Sequence, residues 1–212
     1  MPDLVIVGAG GHGRELLDVV EAINLSRPSW DFLGFLDDGE PDAELLARRQ
    51  AEHLGAVELL AEIEAAYVLA VGSSDIRARL DALATGFGRV AATLVHPLAS
   101  VASDVTLAAG VVIAAGARVT TNVRLGRHSH LNVNAVVSHD CRVGDFVTIS
   151  PSATINGNVT IEDGAFLGAA AVVTPGRRLG AGCTVGAGAV VIDDVPPGAV
   201  VVGVPARQVQ RR

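Results

Sequence analysis

The sequence predicts two domains of different class: a small α/β domain over residues 1–91, then an all-β coil of parallel strands over 92–192, closed by an exit segment over 193–212. Three observations carry this. A strand, a glycine-rich turn and an amphipathic pattern follow one another near the N-terminus; branched aliphatic residues recur every six positions from Val95 to Val191; and five of the seven aromatic residues lie before residue 92. The chain has 212 residues, 50% hydrophobic but only 3% aromatic. An ordinary globular core draws much of its buried area from large rings, so a second, ring-free packing scheme is needed.

The first domain opens with Leu4-Val5-Ile6-Val7, a run suited to a strand buried on both faces. Gly8-Ala9-Gly10-Gly11-His12-Gly13 follows, then a helical pattern through Leu16, Leu17, Val20 and Ile23. A second strand, Phe32 to Leu36, ends in Asp37-Asp38-Gly39; a third, Tyr67 to Val71, ends in Gly72-Ser73-Ser74 and a helix from Asp75. Strands alternating with helices read as parallel βαβ units of Rossmann-like type, whose ligands bind beyond the carboxyl ends of the strands. Gly8, Gly10 and Gly13 satisfy GxGxxG, with Asp37 or Asp38 placed as ribose ligand, which read alone says dinucleotide. About ninety residues, however, supply only half of the sheet that holds a full dinucleotide, so a mononucleotide fits better. The bland alternative is a glycine turn that merely packs strand against helix.

The second domain is read from its period. From Val95 to Val191 in steps of six, all seventeen positions hold Val, Leu or Ile without an insertion. If about a third of residues were of these types, one register would reach this by chance about once in 10⁸ trials. Six is neither a helical nor a simple strand period, but suits a short strand plus a turn repeated around a coil. Three hexads, about eighteen residues, make one triangular turn. The aliphatic fills the axis, and the small residue two before it (Ala135, Cys141, Ala153, Ala165 and others) turns the corner; Arg177 is the exception. Pro196-Pro197 should end the coil, because proline cannot continue a paired strand.

The net charge of −7, with every basic residue an arginine, disfavours nucleic acid and anionic lipid as partners. Cys141 and Cys183 are too few for a disulfide framework, follow no zinc spacing, and fall 42 residues apart on different faces of the coil. Met1-Pro2-Asp3 lacks a basic leader and Leu4 to Ala9 is too short for a signal or membrane segment, so a cytoplasmic location without membrane contact is expected.

The hexads, with Leu125-Gly126, Val143-Gly144, Leu167-Gly168 and Val185-Gly186, resemble the left-handed β-helix of the hexapeptide-repeat acyltransferases. Gly10-Gly11-His12-Gly13, Phe35-Leu36-Asp37-Asp38, Gly72 to Arg77, Ser138-His139-Asp140-Cys141 and Gly203-Val204-Pro205-Ala206 narrow the resemblance to sugar acetyltransferases, both the sialic acid O-acetyltransferases and the UDP-4-amino-sugar N-acetyltransferase of bacillosamine synthesis. That resemblance implies a homotrimer, acetyl-CoA as co-substrate without a metal, and a nucleotide-linked sugar, UDP-linked by analogy, held by Gly10, Gly11, His12, Asp37, Asp38, Gly72 and Asn132. His139 would act as general base, Asp140 would orient its ring, and the Gly157 N–H, one coil on, would stabilise the oxyanion. Cofactor contacts fall by position at Thr148, Ala169 and Ala187, Thr148 standing where the bacillosamine enzyme has a second histidine. Arg207, Arg211 and Arg212 are placed to meet the coenzyme phosphates.

Other readings compete with this one. His139-Asp140 could be a solvated corner pair; His128 and His130 are expected on the surface; Asn132 and Asn134 lie near His139 in sequence. Acetylation of a sialic acid hydroxyl and a non-catalytic nucleotide-sugar-binding trimer are the alternatives. A zinc-dependent γ-carbonic anhydrase on the same fold needs an H-x₄-H pair, and no two histidines here have that spacing.

Overall fold

The computed structural model describes residues 1–209, and the chain divides into two compact units, Met1–Pro97 and Leu98–Arg212. In the first, β1 (Asp3–Val7), α1 (Gly11–Ser26), β2 (Asp31–Leu36), α2 (Ala43–Ala47), β3 (His53–Gly55), a 3₁₀ turn (Val57–Ala61), β4 (Ala66–Leu69) and α3 (Ser74–Gly86) follow in order. The four strands form one parallel sheet in the order β3-β2-β1-β4. Leu4, Val5, Ile6 and Val7 of β1 are all buried, as a central parallel strand requires.

Helix α1 lays Leu16, Leu17, Val19 and Val20 inward. It can start close to the sheet only because residue 13 is glycine: a β-carbon there would sit 2.0 Å from the Gly8 carbonyl oxygen. Gly8 itself takes φ +108°, a conformation that side chains other than glycine rarely adopt. β3, α2 and the 3₁₀ turn have no counterpart in the sequence reading, since three to five residues are too few to display a period. α2 is instead signalled by its cap, Asp42 accepting from Leu45 N–H at 3.0 Å.

The second unit is a parallel β-helix of two-residue strands. Each pairs with the strand eighteen residues away, as Leu125 with Val143, Leu131 with Ile149 and Val137 with Ile155. Three sheets result: one through Arg124–Leu125 and Arg142–Val143, one through His130–Leu131 and Thr148–Ile149, one through Val136–Val137 and Thr154–Ile155. Leu131, Val137, Ile149, Ile155 and Leu167 are fully buried along the axis.

The corners differ from the expectation. The residue three past each aliphatic, not the small residue after it, turns the chain: Asn122, His128, Asn134, Asp140, Phe146, Ser152, Asn158 and Ala170 all have φ between +49° and +63°, interleaved with Gly110, Gly116, Gly164 and Gly176. A single left-handed residue turns the chain onto the next side of the coil, and the small residue that follows it (Ala135, Cys141, Ala153) is delivered to the interior.

Two further expectations are corrected. His128 and His130 are buried rather than on the surface. His130 belongs to a strand, and the His128 ring stacks on Phe146, centroids 5.7 Å apart and 12° from parallel, over Gly110, where a β-carbon would come within 2.3 Å of it. Nor does pairing stop at Pro196-Pro197. Val195 bridges Leu179, and Val200–Val202 pairs with Thr184–Val185 before Arg207–Val209 returns antiparallel. The prolines occupy an exposed corner, where no ladder N–H is needed, and the offset there shortens from eighteen residues to sixteen (Thr184 with Val200). Cys141 and Cys183 are free, buried and on different sheets, and burial pushes the Cys183 thiol up to about 11.

Candidate active site

His139 and Asp140 form the outer edge of the corner after Val136–Val137. Asp140 is the left-handed residue, at φ +63°. This conformation turns its carboxylate back beside the preceding side chain, and His139 Nδ1 lies 2.7 Å from Asp140 Oδ2. A second contact comes from one coil earlier, where Asn122 Nδ2 donates to Asp140 Oδ1 at 2.7 Å. The bond from His139, and next that from Asn122, hold the Asp140 carboxyl below the ordinary carboxylate range. An ionised carboxylate only accepts, so Nδ1 carries the proton and Nε2 presents its lone pair outward. The pair is solvent-accessible, with 59% of the His139 side chain exposed, so a ligand can reach it.

Gly157 stands one coil on, directly against the ring. A β-carbon at that position would lie 2.4 Å from both Cε1 and Nε2 of His139, so any larger residue would displace the imidazole. The backbone here is fixed on both sides: Asn158 N–H donates to the His139 carbonyl at 2.8 Å, and Gly176 N–H to the Gly157 carbonyl at 3.0 Å. His139, Asp140 and Gly157 therefore meet at one corner, as the period of eighteen required.

The other expected residues lie elsewhere on the coil. Thr148 is a buried strand residue paired with His130. Ala169 and Ala187 are exposed and stacked one coil apart, Gly188 N–H bonding the Ala169 carbonyl at 2.8 Å. Their corner, which also contains Asn132 and Asn134, follows the His130–Leu131 sheet and is not the corner of His139. The two asparagines near His139 in sequence are thus on a different edge. Arg207 is exposed, 3.6 Å from Asp193; Arg211 and Arg212 fall outside the described residues.

In the first unit, the loops after β1, β2 and β4 lie side by side at the carboxyl ends of adjacent strands, where such sheets bind ligands. A cleft of about 380 Å³ is lined by Ala9, Gly10, Arg14, Asp37, Glu40 and Asp42, among others. Gly10 and Gly11 have nothing within 4 Å of where a β-carbon would project, and the N-terminus of α1, the end of a helix that favours anions, carries no side-chain cap. His12 pairs with Glu15 at 3.0 Å. Asp37 ties the loops together, its Oδ2 accepting from Ala9 N–H at 2.7 Å and its Oδ1 from Gly39 N–H at 2.9 Å. Asp38 accepts from Val57 N–H at 2.8 Å, at the start of the 3₁₀ turn. Gly72 is open on its α-carbon, and its carbonyl accepts from the buried Arg77 guanidinium at 3.0 Å.

Comparison with known proteins bears on both units. The PglD N-terminal domain model matches residues 3–81, and the model for the hexapeptide repeat of succinyl-transferase matches 158–192. GDP-perosamine N-acetyltransferase of Escherichia coli O157:H7 is 34% identical over 152 residues, 69% of this chain and 66% of that protein. PerB from Caulobacter crescentus, solved in complex with CoA and GDP-perosamine, is 30% identical with a TM-score of 0.88, covering 99% of this chain and 98% of its own. The acetyltransferase domain of PglB from Neisseria gonorrhoeae FA1090, solved with acetyl coenzyme A, is 31% identical with a TM-score of 0.86 over 98% and 99% of the two chains.

The chain belongs to the hexapeptide-repeat nucleotide-sugar acetyltransferases.

Two residues that the sequence does not single out adjoin the candidate residues, one in each unit. Asn122 holds Asp140 from the coil below, and Arg14 lines the cleft of the first unit. Asn122 was accessible to the same arithmetic that found Gly157, applied downward from Asp140 instead of upward from His139. No group of three His, Cys, Asp or Glu able to hold a metal occurs among the described residues, and no helix there is long and apolar enough to cross a membrane.

Proposed function

We propose that this protein transfers the acetyl group of acetyl-CoA to the amino group of a nucleotide-linked 4-amino sugar, with His139 as the general base. The single observation that carries the reading is the His139 ring, held by Asp140 at Nδ1, with Nε2 facing out over the α-carbon of Gly157. The amine attacks the thioester carbonyl carbon, and His139 Nε2 takes the proton it sheds. The carbonyl oxygen becomes an oxyanion at the Gly157 N–H; collapse breaks the C–S bond, and the thiolate leaves with a proton returned from the imidazolium. Asp140 fixes the tautomer and stabilises the imidazolium.

Thr148, Ala169 and Ala187 are the proposed coenzyme contacts. Ala169 and Ala187 leave a small-residue track on an edge other than that of His139. A coenzyme touching both edges is accommodated where one copy's edge faces another's, which supports a homotrimer. The sugar nucleotide is proposed to bind at Gly10, Gly11, His12, Asp37, Asp38 and Gly72, with Asn132 as a sugar contact. UDP is the nucleotide that the resemblance implies; the Escherichia coli and Caulobacter crescentus relatives are named for, or hold, GDP-perosamine, so GDP sugars belong in the same assay. Thermal-shift measurement with UDP, GDP and CMP sugars and NAD, followed by acetyl transfer to the sugar that stabilises most, tests the reading. Stabilisation by NAD alone, or no transfer to any amino sugar, overturns it.

A further inference from the structure

One column of the coil occupies the amide of the second corner residue, two past the aliphatic, with carboxylates. Arg127 N–H donates to Asp145 Oδ1 at 2.7 Å, and Asp145 N–H to Asp163 Oδ1 at 2.8 Å. In both pairs donor and acceptor hold the same corner position eighteen residues apart, so an aspartate in this column caps the amide one coil before it. The next member, Ala181, has its amide taken by Glu162 Oε2 at 2.8 Å. On the edge of His139, the equivalent column reads Thr121, His139, Gly157, Pro175. Eighteen residues past Gly157 is thus a proline, with no side-chain acceptor. Among the described residues the Gly157 amide makes no hydrogen bond.

We propose that Pro175 is a positioning residue: by placing an acceptor-free ring where the column of Arg127, Asp145 and Asp163 places a carboxylate, it keeps the Gly157 N–H unclaimed for the oxyanion. The inference rests on the acetyl-transfer reading. The carbonyl of the peptide that presents this amide, that of Asn156, accepts from Cys141 Sγ at 3.1 Å, so the amide is held in place as well as uncapped.

The test replaces Pro175 in the full-length protein with Asp, Asn and Leu. Asp and Asn bring an acceptor to the position that Asp145 and Asp163 occupy in their column; Leu brings bulk without one. Expected for both Pro175→Asp and Pro175→Asn is a fall in kcat of about 100- to 1,000-fold with the KM for acetyl-CoA unchanged, the loss typical of one oxyanion donor. Pro175→Leu should stay within about threefold of wild type. Hydrogen–deuterium exchange at the Gly157 amide supplies a readout independent of turnover: it should slow in the Asp and Asn variants only. Equal loss in all three variants would assign Pro175 a purely structural role and overturn the proposal. Slowed exchange with full turnover, or unchanged exchange, would overturn it equally. If wild-type protein acetylates no sugar, the function reading fails, while the exchange measurement still decides whether position 175 controls the amide.

Discussion

The His139 imidazole lies over the α-carbon of Gly157, so close that a β-carbon at 157 would stand 2.4 Å from Nε2. Two residues eighteen apart in sequence share one chemical site because the coil advances by eighteen residues per turn. Gly157→Ala must push the ring away from its place above the amide. The coil itself should survive, since the site is at an exposed corner and the axis residues are untouched. Steady-state kinetics should show kcat reduced at least about 100-fold, with circular dichroism and oligomer size unchanged. Activity near that of wild type would mean that the ring does not work from this position.

Asp140 is held by two donors, His139 first and Asn122 second, which depress its titration. A carboxyl whose folded pKa lies below its ordinary value contributes while ionised, and its contribution is lost as pH falls through the folded value. Asn122→Leu removes one donor, so the carboxylate holds the His139 imidazolium more strongly and the acid limb, set by protonation of that base, should move to higher pH, with less than about tenfold loss at the optimum. Asp140→Asn should cost far more at every pH, because an amide stabilises neither the imidazolium nor a single ring tautomer. A pH–rate series on both variants checks this.

The coil was legible because one aliphatic per six residues is a long, redundant signal; Leu131, Val137, Ile149 and Ile155 could each be placed on the axis from position alone. The column of His139 and Gly157 came from the same arithmetic. The burial of His128 was not legible. A histidine at a corner position reads as solvated, and only the stacked Phe146 one coil on, with Gly110 one coil back, shows that the ring is packed. Pairing beyond Pro196-Pro197 was hidden by a change of offset from eighteen to sixteen, which breaks the period while preserving the strands. In the first unit, β3 and α2 are too short for periodicity and are held by tertiary contacts.

Arg77 is fully buried at the start of α3, and its guanidinium donates to the carbonyls of Val71 and Gly72 at 2.8 and 3.0 Å. Burial lowers its titration to about 10, still well above neutral, so it is charged where it braces the loop after β4. Arg77→Met should lower stability by about 1.5–3 kcal/mol, the range for hydrogen bonds to a charged group. It should also weaken nucleotide-sugar binding, as measured by calorimetry, while leaving the coil corner of His139 intact.

The two thiols are interior wall, with Cys183 raised to about 11 by burial and Cys141 shifted in the same direction for the same reason. In native protein at pH 8 both should resist thiol reagents for hours and react promptly in denaturant. Labelling followed by mass spectrometry reads this directly. Rapid native labelling would show that the coil opens far more readily than its packing implies.

The most direct test of the account is single-turnover acetyl transfer from acetyl-CoA to the nucleotide-linked amino sugar that binds best, comparing wild type with His139→Asn. The account predicts that the variant binds both substrates with near wild-type affinity but transfers acetyl at least about 100-fold more slowly. Transfer at the wild-type rate would contradict the assignment of His139 as the base and, with it, the mechanism built on this corner.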